Sequence, residues 1–345
     1  MNKQKVLLLL PFLLLCITAW IIGRNQELPQ ILLAVQGVKL SYLAIACLLM
    51  GGSWFLNAGI LRILFQGNTK PLTWKNAIQL TMVGQYYSAI TPFASGGQPA
   101  QILSMSAKEI PVGRATSLLM VKFLIYQVTV VLYALAFFLW QYHYIQKTLS
   151  GSFTWILLGL VLNGLLILLI VLALLKRDWM ESKLMKLIDF INSRKKNFAS
   201  ETWKEKIIQT LSDYETSAKE VQSAPRIAGK VFLLTILQLT AYFAVSWAIY
   251  RSFGLSQIGV IRILALQSLL YMAISFIPTP GNAGASEGGF LVIFHLLFTG
   301  ATLMPAMLLW RLITYYFNLM FGGLITLYDH WECSRLGKKK ASSLG

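Results

Sequence analysis

Three ionisable residues lie within long apolar stretches of this 345-residue chain: Lys122, Glu287 and Arg311. Charged side chains are costly in apolar surroundings, so each one is a candidate for function. Arginine can bind a phosphate group through two parallel hydrogen bonds, and lysine adds a compact point charge. The three residues therefore predict a site for an anionic group, most naturally a phosphate. Glu287 would neutralise Arg311 when the site is empty, or accept an amino group of the ligand. Two other interpretations stay open: the three residues form a fixed buried ion network, or Lys122 extends to the membrane interface.

Two breaks that contain proline and glycine supply further polar groups. Both follow an apolar stretch and share the pattern Gln-x11-Thr-Pro-x3-Gly, which starts at Gln79 and again at Gln267, 188 residues later. The same offset carries Lys122 to within one residue of Arg311, so each copy has a cation at nearly the same place. Helix N-termini beside such breaks bind anions. The candidate ligands in and beside break 1 (residues 91–96) and break 2 (residues 279–284) are Thr91, Gly96, Gly97, Gln98, Thr279, Gly281, Gly284 and Ser286.

The elements that position these residues are predicted to be membrane helices. Hydrophobic residues make up 56% of the chain and charged residues only 12%, against roughly 25% charged residues in soluble domains. Several apolar runs approach the roughly 20 residues that a helix needs to cross the hydrocarbon core. The first run follows Lys3 and Lys5 but lacks a cleavage site, which favours a retained helix over a signal peptide. The predicted spans are residues 6–22, 41–64, 115–140, 153–175, 229–250 and 303–328.

The interrupted segments 72–107 and 257–299 are predicted to be hairpins that re-enter the same side of the membrane. Non-helical backbone is tolerated at that depth only where protein or a water-filled cavity covers it, so both breaks should face a cavity. Basic residues concentrate in the loops that six spans place in the cytoplasm, together with both termini. Three spans separate the hairpins, so repeat 1 (about 41–140) and repeat 2 (about 229–328) would have opposite orientations. If proline and glycine only kink ordinary helices, the chain crosses eight times instead.

The segment 176–228 differs from the rest of the chain in its charge. It contains most of the acidic residues, interspersed with lysine and arginine, and has apolar residues at helical spacing. This pattern predicts amphipathic helices on the cytoplasmic membrane surface or under the bundle, too short for a catalytic domain. The sequence as a whole predicts an all-α polytopic membrane protein with a single transmembrane domain over residues 1–345.

Other kinds of chemistry have little support in the sequence. The three cysteines lie far apart, the three histidines show no metal-ligand spacing, and no catalytic triad is visible. Neither break continues into the Gly-Lys-Ser/Thr of a nucleotide loop. The net charge of +17 clusters at the ends of apolar runs, which favours topology and anionic lipid over nucleic acid. We expect no catalytic residue, metal, cofactor or nucleic-acid partner.

Two segments, GQYYSAITPFASGGQP (84–99) and FIPTPGNAGASEGG (276–289), resemble the signature breaks of the lysylphosphatidylglycerol synthase transmembrane family. This is the flippase-like domain of the bacterial multiple peptide resistance factor, and the likeness extends from Val6 to the last helix. Full-length members add a soluble aminoacyltransferase domain that moves lysine from lysyl-tRNA to phosphatidylglycerol. We expect that domain to be absent here, because the chain stops at Gly345. The resemblance implies lipid translocation without synthesis in the bacterial inner membrane, with Glu287, Arg311 and both breaks along the lipid path. Lys122 departs from the family, in which an acidic residue or arginine is common in this helix.

The leading hypothesis is translocation of an anionic or aminoacylated phospholipid, such as lysylphosphatidylglycerol, with its head group at the two breaks. The expected partner is phosphatidylglycerol or its aminoacylated form; a homo-oligomer and a separate lipid-modifying enzyme stay open. One alternative is participation in phosphatidylglycerol lysylation, a lysyltransferase activity that confers resistance to cationic antimicrobial peptides. It requires an aminoacyl-tRNA site, for which segment 176–230 is the candidate. A second alternative is a secondary transporter of a small anion.

Overall fold

The protein is helical throughout the ranges in which its structure is described. Besides scattered positions between 154 and 219, the computed structural model describes residues 35–66, 71–148, 223–275, 277–298 and 300–342. These ranges contain helices and short connections, and no β-strand. The all-α class predicted from composition is confirmed. The predicted spans 6–22 and 153–175 and residues 176–222 of the predicted amphipathic segment lie outside the continuously described residues. The end of that segment was placed too late, because residues 225–228 form the start of the helix Pro225–Ser252.

The apolar runs fold into helices because a helix satisfies its backbone hydrogen bonds internally, as the bilayer core requires. Four of the described segments are long and apolar enough to cross a membrane: α1, α4, α6 and the stretch Gly300–Arg335, in which a π-helical turn (Leu312–Tyr316) joins α9 to α10. They coincide with four of the six predicted spans. The described α-helices are α1 (Leu40–Leu64), α2 (Trp74–Ile90), α3 (Gly97–Ala107), α4 (Val112–Trp140), α5 (Tyr142–Thr148), α6 (Pro225–Ser252), α7 (Val260–Ile274), α8 (Ala285–Phe294), α9 (Gly300–Arg311) and α10 (Phe317–Ser342).

Each break ends a helix for the same local reason. Thr91 and Thr279 precede proline and have extended backbones, with φ −114° and ψ 145° in the first and φ −109° and ψ 146° in the second. Thr91 Oγ1 donates to Tyr87 O at 2.6 Å and accepts from Gly96 N at 2.9 Å. Thr279 Oγ1 donates to Ala283 O at 3.0 Å. Both threonines therefore bond to the backbone of their own break and hold its shape.

The breaks turn the chain back on itself, so the interrupted segments are hairpins. In hairpin 1, α2 and α3 lie side by side, and Gln101 Nε2 of α3 donates to Leu80 O of α2 at 2.9 Å. In hairpin 2, α7 and α8 pack so closely that a Cβ at Gly289 would lie 2.5 Å from Leu270 Cδ1. A kinked spanning helix would keep its two halves apart, so the geometry of the described residues favours re-entrant hairpins over the eight-crossing alternative.

The offset of 188 residues relates whole elements and not only isolated side chains. The 3₁₀ turns of the two breaks begin at Pro92 and Pro280, and α4 and α9 also begin 188 residues apart. Phe93 in break 1 and Gly281 in break 2 both have left-handed backbones, with φ 55° and 58°. The residues that follow them, Ala94 and Asn282, repeat this conformation with φ 53° and 52°. The two repeats thus share one backbone design.

The first helices of the two repeats, α1 and α6, pack antiparallel. At one end of the pair, Lys39 N before α1 donates to Ser252 O at the end of α6, at 2.8 Å. Further along, Gln238 Nε2 of α6 donates to Ser53 Oγ of α1 at 3.5 Å. Since these are equivalent helices of the two repeats, their opposite directions agree with the inversion predicted from charge bias.

An ion cluster ties hairpin 1 to α10. Lys108, at the end of α3, forms an ion pair with Asp329, and each side chain is only 7% exposed. Ser104 Oγ donates to the second carboxylate oxygen of Asp329 at 2.6 Å. Gln79 of α2 accepts from Lys108 Nζ at 3.2 Å and donates to Glu332 at 2.9 Å. Both helices of hairpin 1 are therefore fixed to the last helix by buried polar contacts.

Candidate functional site

The two breaks meet and border a cavity of about 380 Å³. Tyr315 joins them: its hydroxyl donates to Ala89 O beside break 1 at 3.3 Å, and its ring lies against Gly281 in break 2. A Cβ at Gly281 would lie 2.0 Å from Tyr315 Cε2, so only glycine fits there. The breaks therefore contribute to one shared cavity, which agrees with the predicted inverted repeat.

Polar side chains from both repeats line the cavity. Its volume is in the range of small-molecule and head-group sites, but its wall is more polar than a typical ligand pocket. Eight described residues with carboxamide side chains line it: Asn57, Gln85, Gln98, Gln101, Gln238, Gln267, Asn282 and Asn318. Hydroxyl groups are contributed by Ser88, Tyr126, Tyr242, Tyr271, Ser286 and Thr314. Amide and hydroxyl groups can form hydrogen bonds with a polar head group inside the membrane, where acyl chains cannot.

Arg311 bonds to Glu287 and to the backbone of break 2 through three of its five N–H groups. Its Nε donates to Glu287 Oε1 at 2.6 Å, and both terminal nitrogens lie 3.3 Å from Gly281 O. The guanidinium also lies over the Tyr315 ring, 4.4 Å from the centroid, in cation–π geometry. Glu287 Oε2 in turn accepts from Gly284 N at 2.7 Å, at the N-terminus of α8. Of the three-residue ion network that the sequence left open, the structure shows the Arg311–Glu287 pair without Lys122, and this pair holds break 2 in place.

Lys122 has the opposite character. Its Nζ donates to Asn57 Oδ1 of α1 at 2.7 Å and lines the cavity. No carboxylate lies within 4 Å of this ammonium group among the residues that the structure describes. The alternative in which Lys122 extends to the interface does not agree with this contact. A cation that faces a polar cavity without a counter-charge is a natural partner for an anion.

Three buried polar atoms beside the cavity lack a hydrogen-bond partner among the described residues: Thr81 Oγ1, Gln238 Oε1 and Trp310 Nε1. All three residues line the cavity. Buried polar atoms are nearly always paired, because an unmade bond costs about 1–3 kcal/mol. Their position predicts that water or a ligand in the cavity completes their bonding.

The predicted ligands fall into two groups. Those that line the cavity are Gly97, Gln98, Lys122, Gly281, Ser286 and Arg311. Those that instead hold the breaks in shape are Thr91, Gly96, Thr279, Gly284 and Glu287. In the described ranges no group of three histidine, cysteine or acidic residues could hold a metal ion.

Sequence reasoning missed the amides contributed by the spanning helices. Asn57, Gln238 and Asn318 lie in α1, α6 and α10, far from both breaks in sequence. A polar side chain inside an apolar span is itself a signal of function, and it would have identified all three.

The fold and the cavity define a multi-pass membrane protein built from two related repeats around a polar site. The chain belongs to the family described as the lysylphosphatidylglycerol synthase TM region, whose model matches residues 6–322. It is also similar to a UPF0104 membrane protein from Archaeoglobus fulgidus, with 25% identity over 296 residues, 83% of this chain and 86% of the relative.

Proposed function

We propose that this protein moves an anionic or aminoacylated phospholipid between the leaflets of its membrane, with phosphatidylglycerol and lysylphosphatidylglycerol as the leading substrates. The head group occupies the cavity between the two breaks while the acyl chains stay in the bilayer. The observation that carries this proposal is Lys122, a cation that lines a polar cavity and has no carboxylate partner among the described residues. An anionic head group supplies the missing counter-charge.

The two cations have separate roles in this proposal. Lys122 binds the phosphate, and Gln238 Oε1 and Trp310 Nε1, which have no partner among the described residues, are available to the rest of the head group. Arg311 and Glu287 together have no net charge and hold break 2 against Tyr315. An inverted repeat suits such a carrier, because exchanging the conformations of its two halves exposes one central site to either leaflet.

Leaflet exchange in proteoliposomes tests the proposal. Full-length protein is reconstituted in vesicles with a trace of phospholipid that carries a fluorophore on one acyl chain, and labelled lipid in the outer leaflet is followed by extraction. We expect faster exchange of phosphatidylglycerol or lysylphosphatidylglycerol than in protein-free vesicles, and a smaller effect on phosphatidylcholine. Exchange at the protein-free rate for every lipid tested would refute the proposal.

A further inference from the structure

We infer that the cavity opens sideways to the bilayer beside Phe93, and that the acyl chains of a bound phospholipid pass over this ring. The inference rests on the proposed function, and adds where a lipid enters and which side chain its chains contact. It would also explain how a polar cavity serves a molecule whose larger part is apolar.

The first support is the exposure of break 1. Phe93 lines the cavity, yet 59% of its surface is exposed. Its neighbours Pro92, Ala94 and Ser95 are exposed as well. If α2 starts at one membrane surface, its 17 residues at about 1.5 Å per residue place this break roughly 25 Å into a hydrocarbon core about 30 Å thick. An aromatic ring exposed at that depth is suited to lipid chains and poorly suited to water.

The second support is the contrast with break 2. The position equivalent to Phe93 is Gly281, and the ring of Tyr315 fills the space where a side chain would lie. Pro280 and Asn282 are partly buried, unlike their exposed counterparts in break 1. The cavity is therefore closed by Tyr315 at one break and bordered by an exposed aromatic ring at the other.

The third support is the backbone of break 1. Phe93 and Ala94 have φ values of 55° and 53°, a conformation that costs roughly 1–2 kcal/mol for such residues. Break 2 adopts the same turn with Gly281 and Asn282, residue types that tolerate it. An aromatic side chain at the strained position points to a use of that side chain, and a lipid-facing opening supplies one.

Spin labelling tests where the cavity opens. A nitroxide is attached to Phe93→Cys in reconstituted full-length protein whose three native cysteines are changed to serine. Accessibility to oxygen, which concentrates in lipid, is compared with accessibility to a water-soluble nickel chelate. We expect oxygen to dominate, as at Leu48→Cys on the exposed face of α1, and unlike Lys147→Cys at the end of α5. Dominance of the nickel chelate, or low accessibility to both, would overturn the inference.

A second measurement links the opening to transport. Phe93→Asp places a charge in the lipid path at a backbone position that aspartate tolerates, and is expected to slow exchange of anionic phospholipid about tenfold or more. Phe93→Leu keeps an apolar side chain and should retain most of the rate. Equal rates for both variants would contradict a role for this ring. The spin-label result is independent of the transport result. A water-exposed label rejects the sideways opening even if the protein exchanges lipid. A lipid-exposed label supports the opening even if exchange is not detected.

Discussion

Lys122→Gln is expected to slow exchange of anionic phospholipid by about tenfold or more, because a hydrogen bond to a charged group contributes about 1.5–3 kcal/mol. The substitution removes the one cation in the cavity that has no carboxylate partner among the described residues, while a glutamine amide can still donate to Asn57 Oδ1. The fold should be retained, since removing an uncompensated charge from a buried site does not leave a new one behind. The measurement is the rate of leaflet exchange at equal protein-to-lipid ratio.

Two variants bracket this result. Lys122→Arg keeps the charge and should retain a larger part of the rate than Lys122→Gln, with some loss because arginine is bulkier and planar. Lys147→Gln removes one positive charge from an exposed position at the end of α5 and should leave the rate unchanged. A normal rate in Lys122→Gln would remove this lysine from the lipid path.

Asp329→Asn is expected to give the largest loss of stability, about 3–5 kcal/mol, because it leaves the Lys108 ammonium buried without its main partner. Asparagine also loses a carboxylate oxygen that accepts from Ser104. Since this cluster fixes both helices of hairpin 1 to α10, the loosened hairpin should lower the melting temperature of the detergent-solubilised protein. Thermal unfolding is monitored as the fraction of protein that remains monodisperse after heating to each temperature.

The exposed part of the same cluster provides the control. Lys75 donates to Glu332 at 2.7 Å, but its side chain is 56% exposed, so Lys75→Gln should lower the melting temperature much less than Asp329→Asn does. Replacing both members of the buried pair, as Lys108→Met with Asp329→Leu, should restore much of the stability that Asp329→Asn loses. If Asp329→Asn were no more damaging than Lys75→Gln, the buried pair would not be what anchors hairpin 1.

The framework of this protein could be predicted from its sequence because the decisive signals are local. Apolar length predicts α1, α4, α6 and the α9–α10 segment, and a Thr-Pro pair ends a helix wherever it occurs. The repeat offset then relates the two breaks, and loop charge predicts the inversion with which the antiparallel α1 and α6 agree. Each of these features can be recognised without knowing which helices pack against one another.

The chemistry of the site could not be ranked in this way, because it depends on partners brought together by the fold. Arg311 and Glu287 look like the strongest ligands in sequence, yet they neutralise each other and bond to Gly281 and Gly284. Lys122 looks weaker, but Asn57 of a different helix holds it at the cavity. Only the packing shows which cation is compensated.

The Lys108–Asp329 cluster was missed for a related reason. Lys108 directly follows α3, and Asp329 directly follows the predicted span 303–328, where basic and acidic side chains are normally explained by topology and solvent. They are 221 residues apart, so no helical spacing relates them. The pairing arises because hairpin 1 lies against α10, a contact that sequence periodicity does not specify.

A structure of the protein in lipid nanodiscs rich in phosphatidylglycerol would test the central claim most directly. We expect density for a phosphate within hydrogen-bonding distance of Lys122 Nζ, with acyl chains leaving beside Phe93 and the Arg311–Glu287 pair intact. A phosphate bound to Arg311 with Glu287 displaced would contradict the assignment of the two cations. A cavity without lipid at saturating phosphatidylglycerol would contradict the proposed function itself.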